Sequence, residues 1–187
     1  DVLMNHLHLP IQSGNNEILK SMRRDHTVEE YLELIYELKS EVPDVSLTTD
    51  IIVGFPGETD QQFQDTLKVM ERVGYSSSFM FSYSPRPGTP ANEFEDSVPE
   101  DVKSRRLQEI IQLQNRLTEE QGRLYKGKTI EMLIEGSSGK PGYSFKGRNP
   151  QYWRVNATGG EGLYKPGDRV QVHIDQTSGH GLSGEIQ

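Results

Sequence analysis

The chain has 187 residues, 33% of them hydrophobic, with a mean hydropathy of −0.69, as expected of a soluble protein with room for one large core or two modest ones. It has no cysteine, which excludes disulfides and thiolate-held metals or clusters within these residues, and no apolar run approaches the roughly 20 residues of a membrane span. The net charge of −8 is uneven: residues 1–121 carry −11 and residues 122–187 carry +3, which argues for two domains with those bounds.

Residues 4–9 read as a first strand, followed by helices near 15–24 and 27–41, the second opened by Thr27 and Glu30 at capping-box spacing. Val45, Leu47, Ile51, Ile52 and Val53 make a nearly continuous apolar run over 45–53, the pattern of a strand buried on both faces. Gly54, Pro56 and Gly57 then turn the chain into a helix near 59–73, where Thr59 and Gln62 repeat the capping-box spacing and Phe63, Leu67, Met70 and Val73 recur at helical intervals. SSFMFSY at 77–83 is a further strand. Ser97 and Glu100 give the capping spacing a third time, before a long helix striped by Val102, Leu107, Ile110, Ile111, Leu113 and Leu117. Strands alternating with helices predict an α/β fold with a parallel sheet, open or barrel-like.

After Gly122 the texture changes. KTIEMLIE, GYSFKGR, QYWRVNA, DRVQVHID and GLSGEIQ are short strand-like pieces separated by Gly, Ser, Pro and Asn, the pattern of a small antiparallel β-barrel.

Ligand sites of parallel α/β folds lie beyond the carboxyl ends of the strands, so IQSGNN, GFPGET and SPRPGTPA are expected to converge on one rim. Side-chain alternation puts His6, His8 and Gln12 on one face, and Thr48 and Asp50 together on the next strand. The H-x-H pair is compatible with a metal-dependent barrel hydrolase in which Asp50 adds a ligand, and equally with hydrogen-bonded barrel residues. Arg86, between two prolines, offers a guanidinium to a phosphate or carboxylate, or is simply exposed.

HLPIQSGNN, TTDIIVGFPGET, YSPRPGTPA and VPEDVKSRRLQEIIQLQN resemble, in that order, the second half of the radical S-adenosylmethionine domain of the methylthiotransferases, most closely their tRNA-modifying branch. Residues 122–187, with GKTIEMLIEG at their start and LSGEI near their end, resemble the TRAM domain that closes those proteins. The resemblance implies the carboxyl-terminal half of a partial (β/α) TIM-like barrel followed by an OB-like TRAM barrel. It implies a cytoplasmic transferase that adds a methylthio group at carbon 2 of a modified adenosine beside the tRNA anticodon. A tRNA branch that acts on a related adenosine is a near rival; the branch that acts on a ribosomal protein shares the GFPGET turn but differs at the HLPIQSG and YSPRPGT stretches, and a non-catalytic RNA-binding derivative is a further alternative. Two 4Fe-4S clusters work with S-adenosylmethionine in that family, one of them bound by CxxxCxxC. With no cysteine here, both belong to a missing amino-terminal part, a reading that the start at Asp1 also suggests, and the piece is expected to be inactive alone.

On this reading Ile52, Val53 and Gly54 present backbone and apolar surface to the adenine of S-adenosylmethionine, and Asp50 is a candidate for its ribose or amine. Gln12 and Ser13 face its ribose or methionine end, Ser82 and Tyr83 close the next wall, and Arg86 meets the target nucleotide or the cofactor carboxylate. The basic last domain is expected to hold the tRNA anticodon stem-loop, with Lys146, Arg148 and Arg154 on phosphates and Tyr152 and Trp153 as a platform for unpaired bases.

Overall fold

The computed structural model describes residues 4–95, 97–179 and 181–187. They form two compact units, one of residues 7–43 and 47–117, the other of residues 118–187 with 44–46 and the segment ending at His6.

In the first unit a three-stranded sheet runs in the order β1 (His6–His8), β2 (Ser46–Val53), β3 (Ser77–Ser82). The β2 and β3 strands are parallel, with Asp50 opposite Phe79 and Val53 opposite Ser82. Helices α1 (Asn16–Ser21) and α2 (Val28–Glu41) connect β1 to β2, and α3 (Asp60–Val73) connects β2 to β3. Local chemistry sets the helix ends. Both predicted capping boxes form, at Thr27 with Glu30 and at Thr59 with Gln62, and α3 stops where Gly74 turns left-handed at φ 66°. At the third, α4 (Glu100–Arg123) begins at Glu100 itself, whose carboxylate accepts from Lys103 Nζ, and the Ser97 hydroxyl accepts the Gly57 N–H at 3.2 Å.

The strand β2 also departs from expectation. Leu47, Thr49, Ile51 and Val53 are buried in the helix-covered core, whereas Thr48, Asp50 and Ile52 are only half-buried. Their face continues into Phe79 and Phe81, which are 60% and 53% exposed. A continuous apolar run therefore marks one covered face and one open apolar face. Along α4, Ile110, Leu113 and Leu117 are buried as the stripe predicts, but Ile111 is exposed.

The second unit contains a closed five-stranded barrel of β4 (Thr129–Ser137), β5 (Phe145–Arg148), β6 (Arg154–Thr158), β7 (Arg169–Ser178) and β8 (Gly181–Ile186), in the order β4-β5-β6-β8-β7 with β4 and β7 pairing to close it. Four of the pairings are antiparallel and β6–β8 is parallel. Alternate residues, including Met132, Ile134, Val155, Val172, Ile174 and Leu182, fill its interior. Closure depends on two glycines: a Cβ at Gly147 would lie 2.0 Å from the Leu133 carbonyl oxygen, and one at Gly184 1.9 Å from that of His173.

Candidate functional site

The predicted rim is assembled from backbone that leaves regular structure at the ends of three neighbouring strands. Beyond β1 the chain stays against β2: Gln12 N–H donates to the Asp50 carbonyl and Ile52 N–H to the Gln12 carbonyl, both at 2.9 Å. Gln12 does this at φ 71°, an uncommon conformation for a residue with a side chain, and is buried. Ser13 is fully buried with its hydroxyl accepting Asn15 N–H at 3.3 Å. Gly14 donates to Thr66 Oγ1 at 2.9 Å, and a Cβ there would come within 2.5 Å of the Thr66 Cα, so this loop sits directly on α3.

At the end of β2, Gly54 is left-handed at φ 70° and its N–H donates to Glu58 Oε2 at 2.7 Å. Glu58 is buried and receives Arg106 Nη1 at 2.9 Å, while Arg106 Nη2 reaches Asp60 Oδ1 at 2.8 Å. Burial pushes the Glu58 carboxyl up from its ordinary range, against the opposing pull of the Gly54 N–H and the Arg106 guanidinium. At the end of β3, Tyr83 N–H donates to the Val53 carbonyl at 2.8 Å and its hydroxyl to the Ala91 carbonyl at 2.9 Å. Phe55 packs edge-on against Tyr83, with ring centres 5.1 Å apart, and against Phe94 at 6.2 Å.

The structure thus gathers Gln12, Asp50, Ile52, Val53, Gly54, Ser82 and Tyr83 along adjoining strand ends. Val53 and Ser13 are buried, so they contribute backbone and packing rather than side-chain contact. Arg86 lies further along in an exposed loop, where its carbonyl accepts Thr89 N–H and Thr89 Oγ1 at 3.2 and 2.8 Å.

On the open face of the sheet His8 Nδ1 lies 3.0 Å from Thr48 Oγ1 and His8 Nε2 3.4 Å from Asp50 Oδ1, while Phe79 meets the imidazole edge-on at 5.9 Å. His8 is therefore a hydrogen-bonded residue on the open face of the three-stranded sheet. His6 turns elsewhere and stacks on Tyr152 at 4.8 Å; no group of three metal-ligating side chains occurs among the described residues. Half-buried Ile52 and exposed phenyl rings beside a carboxylate, an imidazole and the rim backbone suit a ligand with one flat apolar end and one hydroxyl-rich end. That chemistry fits the nucleoside of S-adenosylmethionine. For an iron–sulfur cluster the residues do not fit, because the chain has no thiolate to offer.

Sequence reasoning missed Glu58, Lys103 and Arg106 at this rim. Glu58 stands inside the GFPGET turn, but the two cations occupy a highly charged stretch of α4 that reads as a solvated face; the structure leaves them 1% and 3% exposed.

Three cations of this unit share β5 and β6, where Arg148 lies directly opposite Arg154 and Lys146 opposite Asn156. Lys146 and Arg154 are exposed. Arg148 is engaged: its Nε lies 3.2 Å from Glu135, its Nη1 donates to the Tyr152 carbonyl at 2.9 Å, and its guanidinium carbon sits 3.8 Å from the Tyr152 ring centre. Since His6 stacks on the same ring, and two planar groups this near must take opposite faces, Tyr152 offers an edge rather than a stacking surface. Trp153, expected on the same platform, is buried in the barrel core with Tyr125 tilted against it at 5.7 Å, so its ring is withdrawn from any RNA surface. The fixed Asn149–Trp153 turn causes this: Asn149 Oδ1 accepts Trp153 N–H at 2.8 Å, directing Tyr152 out at φ 68° and Trp153 in.

Residues 1–70 match the family model described as the radical SAM superfamily. The chain is 44% identical over 181 residues to a tRNA-2-methylthio-N(6)-dimethylallyladenosine synthase of Acetivibrio thermocellus, covering 97% of this chain and 37% of that protein. It is 45% identical to the protein of the same name from Protochlamydia amoebophila (97% and 40% covered) and 43% identical to that from Clostridium perfringens (100% and 41% covered). Over nearly its whole length the chain is thus similar to part of these tRNA-modifying enzymes, and it spans about two fifths of their length.

Proposed function

We propose that this chain is the carboxyl-terminal part of a tRNA methylthiotransferase that converts N(6)-dimethylallyladenosine, next to the anticodon, into its 2-methylthio derivative. The observation that carries the reading is the sharing of one rim by Gln12, Asp50, Ile52, Gly54 and Tyr83, in a chain whose relatives bear that activity in their names.

S-adenosylmethionine, bound beside an iron–sulfur cluster, supplies the radical in such chemistry, and the residues of this chain position it. Ile52 gives apolar contact to the adenine, and the left-handed backbone of Gly54 shapes the end of the same strand beside it. Asp50 accepts hydrogen bonds from the ribose hydroxyls or the amine, Gln12 lies at the ribose or methionine end, and Ser82 and Tyr83 bound the pocket on the β3 side. The cluster ligands come from the part of the enzyme that precedes this chain, which leaves the chain inactive by itself. Exposed Lys146 and Arg154, with the outer side of Arg148, supply phosphate contacts on the barrel for the anticodon stem-loop. No helix among the described residues is long and apolar enough to cross a membrane, and we place the enzyme in the cytoplasm with its tRNA.

The test is Ile52→Ser in the whole enzyme. Ile52 points to the open face, so the change removes apolar contact without opening the core; the Kd for S-adenosylmethionine is expected to rise about tenfold. An unchanged Kd contradicts the reading.

A further inference from the structure

Helix α4 meets the GFPGET turn through two buried cations, Lys103 and Arg106, which are 1% and 3% exposed. Arg106 Nη1 donates to Glu58 Oε2 at 2.9 Å and to the Glu58 carbonyl at 3.1 Å. The same Oε2 accepts the Gly54 N–H at 2.7 Å, so the guanidinium fixes the carboxylate that fixes the glycine. The Lys103 stem lies against the other side of that residue's tetrahedral carbon: a Cβ at Gly54 would come within 2.4 Å of Lys103 Cγ. Its ammonium sits 5.7 Å from the Tyr83 ring centre and donates to Glu100 at 2.8 Å. Replacing a buried ion pair such as Glu58–Arg106 by apolar side chains of similar size is often neutral or stabilising, so its placement calls for a role beyond packing.

We propose that Arg106 and Lys103 are positioning residues for the nucleoside wall. Arg106 acts through Glu58 to hold Gly54 left-handed with its N–H directed inward, and the Lys103 stem fills the space behind that glycine while its ammonium sets the Tyr83 ring. Neither cation touches the cofactor. This rests on the reading of the strand ends as the S-adenosylmethionine wall, and it makes α4, which lies beyond the three rim loops in sequence, the element that sets the shape of that wall.

The experiment compares four variants of the whole enzyme by steady-state kinetics with S-adenosylmethionine varied. Arg106→Lys keeps a charge but cannot hold Glu58 through one nitrogen and Asp60 Oδ1 through a second, and is expected to raise KM for S-adenosylmethionine about tenfold with kcat within about twofold. Lys103→Ala leaves the Glu58–Arg106 pair in place while removing the stem behind Gly54, and a similar rise is expected; it keeps the test open if Arg106→Lys does not fold, as judged by thermal melting and cluster absorbance. Ile52→Ser reports on the wall itself. Arg116→Ala removes an exposed 2.7 Å pair between α4 and Glu71 of α3, far along the helix from the turn, and is expected to leave KM unchanged. If Ile52→Ser raises KM while Arg106→Lys and Lys103→Ala do not, the positioning role is overturned and the wall stands. If none of the three raises it, the wall reading falls and takes this inference with it. If Arg116→Ala raises KM as much as Arg106→Lys, simple docking of α4 accounts for the effect and the positioning role is again overturned.

Discussion

The Tyr75 hydroxyl donates a 2.8 Å hydrogen bond to the Tyr31 hydroxyl, and the Tyr31 hydroxyl in turn donates one to the Leu9 carbonyl at 2.9 Å. Thr49 Oγ1 donates to that carbonyl too, at 2.8 Å, and accepts Ile11 N–H at 2.9 Å. Two tyrosines and a threonine thereby hold the backbone that leads into Gln12. Tyr75 is fully buried, and burial pushes its hydroxyl far above the ordinary tyrosine range. Tyr75→Phe is expected to lower stability by about 1 kcal/mol, read as a fall in the urea midpoint at unchanged slope; an unchanged midpoint would show that the relay contributes nothing.

The capping box of α2 predicts a pH dependence. Glu30 is held below the usual carboxylate range, first by the Thr27 N–H and next by the Thr27 hydroxyl. A depressed folded-state value means that the ionised carboxylate adds stability above its unfolded pKa of about 4.3, and that this is lost as pH falls through the folded value. Glu30→Gln is therefore expected to melt below the parent at neutral pH and to converge with it in acid. Parallel melting curves at all pH values would contradict this.

Barrel closure has a sharp steric test. Gly147→Ala sets a methyl group 2.0 Å from the Leu133 carbonyl oxygen, whereas a Cβ at Gly139 meets nothing within 4 Å. The first substitution is expected to cost about 3 kcal/mol and the second little. Trp153, the one tryptophan in the sequence and buried in this core, reports the difference as a red-shifted emission at lower denaturant for Gly147→Ala.

The cations of β5 and β6 are expected to differ in their contribution to tRNA binding. Lys146→Ala and Arg154→Ala should each flatten the slope of log K against log salt by about 0.7, the change that follows when one phosphate of a single strand is no longer neutralised. Arg148→Ala should change the slope less, because Glu135 and Tyr152 already engage its guanidinium. Filter binding across a salt series checks this; equal slopes for all three variants and the parent would show that this face does not meet the phosphates.

What the sequence disclosed follows the range of the interactions. Thr27 with Glu30, and Thr59 with Gln62, are legible because a capping box is closed within four residues. Barrel strands such as β7 are legible because alternation survives in them, as in Val170, Val172 and Ile174, whereas β8 buries Leu182, Ser183 and Gly184 in a row. The open face of β2 is not: Ile51, Ile52 and Val53 are alike as letters, and only the placement of helices on one side separates buried Ile51 from half-buried Ile52. The parallel β6–β8 pairing and the inward turn of Trp153 depend on partners distant in the chain or on a left-handed Tyr152. At the rim, Gln12, Asp50 and Gly54 could be read from loop position, whereas Lys103 and Arg106 look like solvated charges until Glu58 is seen beneath them.

The most direct measurement is a crystal structure of the whole enzyme grown with S-adenosylmethionine. The expected result has the adenine ring within about 4 Å of the Ile52 side chain and the Gly54 backbone, with the ribose beside Asp50 or Gln12. Density for the nucleoside away from these strand ends, with Ile52 covered by protein instead, would contradict the account.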